Sequence, residues 1–151
     1  MERIYIGIDP GKNGGIAVID EDLVRVVPYS DEELNRKMLE VVMSKRSVAG
    51  TVCCLEAVHA MHKQGVTSMF NFGKAYGYIK GVLEAFCIPY QEITPQKWKK
   101  EFGLTSDKTA SVEVCRRLFP DVNLLATPRC KKAHDGMAEA LLMAEYARRK
   151  L

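Results

Sequence analysis

The sequence predicts an α/β fold: a mixed sheet, three antiparallel strands followed by parallel ones, with helices on both faces. Three observations carry this reading. Up to Val27 the chain holds three short β-branched stretches separated by turn residues, the pattern of a meander. From Asp31 onward, stretches with apolar residues at helical spacing alternate with short apolar runs, as in strand–helix–strand units. The chain has 151 residues, 47% hydrophobic and 27% charged, which is ordinary globular composition, so residues 1–151 are expected to form a single domain.

The elements follow in order. Arg3 to Asp9 (RIYIGID) is a strand, Pro10 to Gly14 is turn chemistry, Gly15 to Asp20 (GIAVID) returns as a second strand, and Leu23 to Val27 adds a third. Asp31 to Met43 carries Leu34, Met38, Val41 and Val42 at helical spacing behind a Ser30/Asp31 cap. Gly50 precedes a buried strand at Thr51 to Leu55, and Ala57 to Val66 is a polar loop. A long helix is expected from about Thr67 to Phe86, then a strand at Tyr90 to Thr94 and a short helix opened by Pro95. Gly103 to Asp107 breaks the chain, Lys108 to Phe119 is helical up to Pro120, Asp121 to Lys132 is loop, and Ala133 to Lys150 is a strongly amphipathic helix.

No apolar run reaches the roughly 18 to 20 residues of a membrane span, and MERIYIGID passes from charge straight into a strand rather than a signal peptide, so a cytoplasmic protein with no membrane partner is expected. The five cysteines are an odd count without a CxxC, and Cys53 and Cys54 alternate across a strand; reduced, mostly buried thiols follow. From Gln96 onward there are 12 Lys plus Arg against 7 Asp plus Glu, and before it 10 against 12. The later part would attract a phosphate backbone, although a solvated basic surface explains the same numbers.

The acids are more informative. Asp9 ends the first strand and Glu56 ends the buried strand, so both stand at a sheet edge. Asp135 and Glu139 are i,i+4 on the last helix, about 40° apart around its axis, and can face one point. Four carboxylates held close repel unless cations or protons compensate, and an all-oxygen set suits Mg²⁺ or Mn²⁺ rather than zinc. The expected use is two-metal phosphodiester cleavage, one ion activating the attacking water and the other stabilising the leaving 3′ oxygen. Singly, each acid has a plain structural explanation as a turn, strand-end, first-turn or solvated residue. Their joint placement, with Glu139 among Ala138, Ala140 and Leu141, is what points to a site.

Several further groups are candidates for contact with a nucleic acid. His59, His62 and Lys63 lie in the loop after Glu56; the even spacing of Glu56, His59 and His62 also admits zinc, but no fourth ligand is spaced to match. In QKWKK, Lys97, Lys99 and Lys100 offer phosphate contacts, while Trp98 is expected as a core anchor more than a base stacker. Lys108 starts a helix whose amides could join them. Lys131 and Lys132, with Arg129, could track phosphate or form a mobile basic loop, and Cys130 beside them is a candidate for a depressed pKa. Gly73, Gly77 and Gly81 form a stripe on the long helix; each costs ~1 kcal/mol against alanine, so the stripe needs a close approach, either to the sheet or to a twin helix across a two-fold axis.

IGIDPG with GGIAVID, LEAV followed by SMFNFGKAYGYIKG, TPQKWKK, and HDGMAEALLMA together resemble the RuvC-type crossover (Holliday) junction endodeoxyribonucleases of the ribonuclease H-like superfamily, in a phage or prophage version, over nearly the whole length. The resemblance implies a ribonuclease H-like fold and a homodimer that nicks two strands of a four-way junction, leaving 5′-phosphate and 3′-hydroxyl ends. It implies two Mg²⁺ per active site, with Mn²⁺ able to substitute, and no small-molecule cofactor. Carried over by position, Asp9, Glu56, Asp135 and Glu139 match the catalytic metal-binding acids, and His59 falls where the family carries a residue that stacks at the junction. The stripe of Gly73, Gly77 and Gly81 then belongs to the dimer interface. If the protein is phage-encoded, its setting is the host cytoplasm.

The chain departs from the family in one place. The closing motif commonly spaces its two positions three apart, and here position 136 is Gly. Asp135 is the substitute; for His134, about 140° from Glu139, two roles stay open, positioning a water or a phosphate, or standing behind the ligands or at the surface without a part in catalysis. Two alternatives stay open: a nuclease for another nucleic acid on the same scaffold, such as RNA in hybrids or flaps, and a branched-DNA-binding protein with a weakened active site. Sugar-kinase and actin-like phosphotransferases share the opening but need two such domains.

Overall fold

The computed structural model describes residues 3–21, 23–44, 48–59 and 63–151, apart from the side chain of Lys108. The elements run β1 (Ile4–Asp9), β2 (Gly15–Asp20), β3 (Leu23–Pro28), α1 (Asp31–Met43), β4 (Thr51–Glu56), α2 (Val66–Ala85), β5 (Tyr90–Ile93), α3 (Pro95–Glu101), α4 (Lys108–Leu118) and α5 (Asp135–Lys150). The sheet order is β3-β2-β1-β4-β5. β1, β2 and β3 pair antiparallel, while β4 lies parallel to β1 and β5 parallel to β4. Ile8 pairs with Leu55 and Asp9 with Gly15, so the ends of β1 and β4 sit side by side with one acid at the tip of each. This is the edge where parallel α/β sheets hold their ligands.

Alternation along the strands feeds two cores. Ile4, Ile6, Ile8, Cys53 and Leu55 pack against Leu34, Met38 and Val41 of α1 and Ile79 and Leu83 of α2. On the other face Ala17, Ile19 and Cys54 meet Trp98, Cys115 and α5. Cys53 and Cys54 thus serve opposite cores, and Cys53, Cys54 and Cys115 are buried free thiols.

α5 departs from the expectation of an amphipathic helix starting at Ala133. It starts at Asp135, with His134 as N-cap accepting the Met137 amide at Nδ1 (3.1 Å), and Gly136 to Ala147 are buried without a break. The helix runs across β1 and β2, with α4 and α3 also against it, so even Glu139 and Glu145 are buried, while Arg148, Arg149 and Lys150 at its end are exposed. Its backbone touches the sheet: a Cβ on Gly7 would overlap the Ala140 carbonyl oxygen and the Ala144 amide nitrogen. At the far end, Arg149 bridges Glu145 (2.9 Å) and Glu101 (3.5 Å) and lies 5.0 Å from the Phe102 ring, tying α5 to the end of α3.

The glycines of α2 differ. Around a Cβ on Gly73, Gly77 or Gly81 there is nothing within 4 Å, so the stripe does not pack on the sheet of its own chain. Nearby Val66 and Phe70 are 85% and 70% exposed, leaving an apolar face uncovered. Among the described residues no helix is long and apolar enough to cross a membrane.

Candidate metal centre

Asp9 at the end of β1, Glu56 at the end of β4 and Glu139 on α5 each present a carboxylate oxygen, all within 4.8 Å of one another. Adjacent parallel strands deliver the first two, and the close seating of α5 on β1 and β2 delivers the third. Glu139 is 8% exposed. Among the described residues this is the group of acid, His and Cys side chains close enough to share an ion.

α3 supplies the rest of the surroundings. Thr94 caps it through the Lys97 amide and Pro95 occupies its first turn, so this short helix starts directly beyond β5, next to Glu56. Trp98 is fully buried, and its Nε1 donates to Glu56 Oε2 at 2.9 Å. Lys99 places Nζ 3.8 Å from Glu139 Oε1 and 5.5 Å from the Trp98 ring. Burial pushes the Glu56 carboxyl up; the Trp98 hydrogen bond pulls it down, the Glu139 charge raises it and the Lys99 charge lowers it. Two half-buried acids and a buried one with one ammonium among them leave an excess of negative charge, and an all-oxygen donor set of this kind fits a hard divalent cation.

Asp135 lies outside this trio and lines a cavity of about 360 Å³ together with Asp9, Asn13, Cys130, Lys132, His134 and Glu139. It also borders a groove lined by Arg116, Lys131 and Lys132. Cys130 has its thiol pulled down by the Thr127 hydroxyl, 3.2 Å away, so the depressed pKa has a hydrogen-bond cause rather than the flanking cations. His59 and Lys63 are exposed in the loop after β4, whereas His62 lies outside the described residues. Lys97, Lys100, Lys131 and Lys132 are exposed, and Lys108 opens α4 with Asp107 as cap, its side chain outside the described atoms.

Two residues of QKWKK thus do what spacing did not reveal. Trp98 is the expected core anchor, but it is also a donor to Glu56, and Lys99 reaches the acids. The missing signal was the adjacency of β4 and β5, which brings α3 beside Glu56.

Gly136 has a steric cause. A Cβ there would overlap the Asn13 carbonyl oxygen and the Gly14 backbone, so the position three before Glu139 has no room for any side chain, acidic or otherwise. An ordinary mid-helix Gly→Ala change gains up to ~1 kcal/mol. Gly136→Ala should invert that sign and lose about 1–3 kcal/mol in urea denaturation, and a stabilised variant would contradict the close approach.

Fold and edge together define the class: a ribonuclease H-like α/β domain with acids at the carboxyl ends of β1 and β4. Neither a protein-family model nor a curated protein matches the chain. Among solved structures, Thermus thermophilus RuvC superposes with a TM-score of 0.60 at 20% identity, over 97% of this chain and 96% of that one. T. thermophilus RuvC in complex with Holliday junction substrate gives a TM-score of 0.58 at 18% identity, over 98% and 96%. The fold is therefore of RuvC type.

Proposed function

We propose that this protein is a Mg²⁺-dependent, structure-selective endodeoxyribonuclease that resolves four-way and other branched DNA by paired nicks. The observation that carries the reading is the convergence of Asp9, Glu56 and Glu139 at the edge of a RuvC-type sheet. The similarity to a RuvC bound to a Holliday junction supports DNA as the substrate. Cations bound by these acids would activate a water for attack on the phosphodiester and stabilise the leaving 3′ oxygen. Asp9, Glu56 and Glu139 are the ligands of this proposal, with Asp135 drawing the remaining coordination toward the adjoining cavity; Mn²⁺ should substitute, and two ions per site are expected. Lys99 offsets part of the acidic charge before a cation enters and remains as a positive group beside the scissile phosphate. The groove of Arg116, Lys131 and Lys132 would carry a strand to the acids by backbone contact, and Lys63, Lys97, Lys100 and Lys108 would extend that contact. His59 would stack at the branch point.

Two symmetric nicks need two active sites. The uncovered face of α2, with Gly73, Gly77 and Gly81 and the exposed Val66 and Phe70, is the surface proposed to meet a second copy. Gly77→Leu should leave a folded chain that sediments as a monomer and no longer nicks in pairs; a wild-type protein monomeric with and without junction DNA would sink the dimer. The weakened-site alternative keeps its place, because the close approach at Gly136 explains why no acid stands there but supplies none; Asp135 is the acid proposed in its stead.

The test is cleavage of a mobile four-way junction against matched linear duplex and an RNA–DNA hybrid, with and without Mg²⁺. Metal-dependent cutting selective for the junction is expected. Preference for the hybrid would move the reading to another nuclease, and binding without cutting would make it a binding protein.

A further inference from the structure

We propose that Trp98 is a positioning residue for the metal centre: its buried indole N–H holds the Glu56 carboxylate in the orientation that brings it to Asp9 and Glu139. This rests on the reading of those three acids as a divalent-cation site.

The chemistry of the pair supports it. An indole has one donor and no acceptor, so at full burial it requires a partner, and the partner it has is Glu56 Oε2 at 2.9 Å. The bond joins residues 42 positions apart, from two different elements. A neutral donor orients a carboxylate without neutralising it, which leaves its charge for a cation; the cationic neighbour, Lys99, is directed to Glu139 instead. The donor also stands on a held element. α3 is capped by Thr94 at one end, and at the other Glu101 pairs with Arg149 (3.5 Å) and Lys150 (3.4 Å). An acid at a strand end has free side-chain torsions, and freezing them before a cation arrives removes an ordering cost that binding would otherwise bear.

Trp98 is the only tryptophan of the chain, so global biosynthetic replacement acts at this one position. The benzothienyl analogue of tryptophan has nearly the same shape and carries sulfur where the N–H was, while 5-fluorotryptophan keeps the N–H. Mn²⁺ binding is measured by calorimetry on the full chain without DNA, for wild type, Trp98→Phe and the two analogue proteins, alongside thermal unfolding without metal. The expected result is about 10–100-fold weaker Mn²⁺ binding for Trp98→Phe and the benzothienyl protein, the range found when an outer partner of a ligand is lost. The 5-fluorotryptophan protein should bind as wild type does. If Trp98→Phe fails to fold, the benzothienyl protein decides. Wild-type affinity in a folded benzothienyl protein overturns the inference and leaves the metal site standing. A wild-type chain that binds no Mn²⁺ overturns the site and this inference together.

Discussion

Asp9→Asn should reduce junction cleavage by about a thousandfold or more while junction binding is retained or tightened. Losing a ligand of the cation removes several kcal/mol of transition-state stabilisation, and each ~1.4 kcal/mol is tenfold in rate. Asparagine fills the same space at the end of β1, so the edge it shares with Glu56 should persist. Binding has a different origin, in cations that neutralise phosphates, and removing a negative charge beside them can only help it. Single-turnover cleavage and equilibrium binding of the same junction, each at fixed salt and Mg²⁺, measure the two effects. A variant that cuts near the wild-type rate would remove Asp9 from the metal site.

The second large effect concerns α5. Glu139→Gln and Asp135→Asn should each cost several kcal/mol in cleavage, and the double variant far less than their sum, because groups that serve one ion fail together. The geometry makes the comparison pointed. Glu139 is in the trio with Asp9 and Glu56, whereas Asp135 stands outside it, along the wall of the same cavity. Additive losses would mean that Asp135 acts on its own, through the groove of Arg116 and Lys132 rather than through a shared cation. His134→Ala is the necessary companion. It should cost roughly 1 kcal/mol of stability through the lost N-cap bond to Met137 and little in cleavage. A loss as deep as that of Glu139→Gln, with Asp135→Asn still active, would give His134 the role assigned to Asp135.

Much of this site was legible before any fold was in view. Asp9 and Glu56 each follow an apolar strand, a position that sequence alone identifies, and Glu139 stands out as an acid in a run of small and apolar residues. The burial of α5 was not legible. Its polar positions suggest a solvent face, but which face of a helix meets water depends on what is stacked over it, and α3 and α4 close over this one. Gly136 read only as a departure from the family's spacing, because a sequence does not show that the Asn13 carbonyl oxygen occupies the space of its Cβ. Lys99 read as one of three equivalent lysines with Lys97 and Lys100, and the sequence did not show that its ammonium turns toward Glu139 while those two are exposed.

Local chemistry is what the sequence determined by itself: strand alternation, helical period, the cap at Ser30, and the acids at strand ends, all set by interactions within a few residues. Convergence was decided by tertiary structure. Asp9, Glu56 and Glu139 meet because β4 inserts beside β1 and parallel to it, and because glycines at 7 and 15 let α5 touch the sheet while Gly136 lets its start meet the turn before β2; the Trp98 bond to Glu56 depends on β5 following β4 in the same order. Such adjacency results from burying two apolar faces at once over long sequence separations, and no window of neighbouring residues contains it.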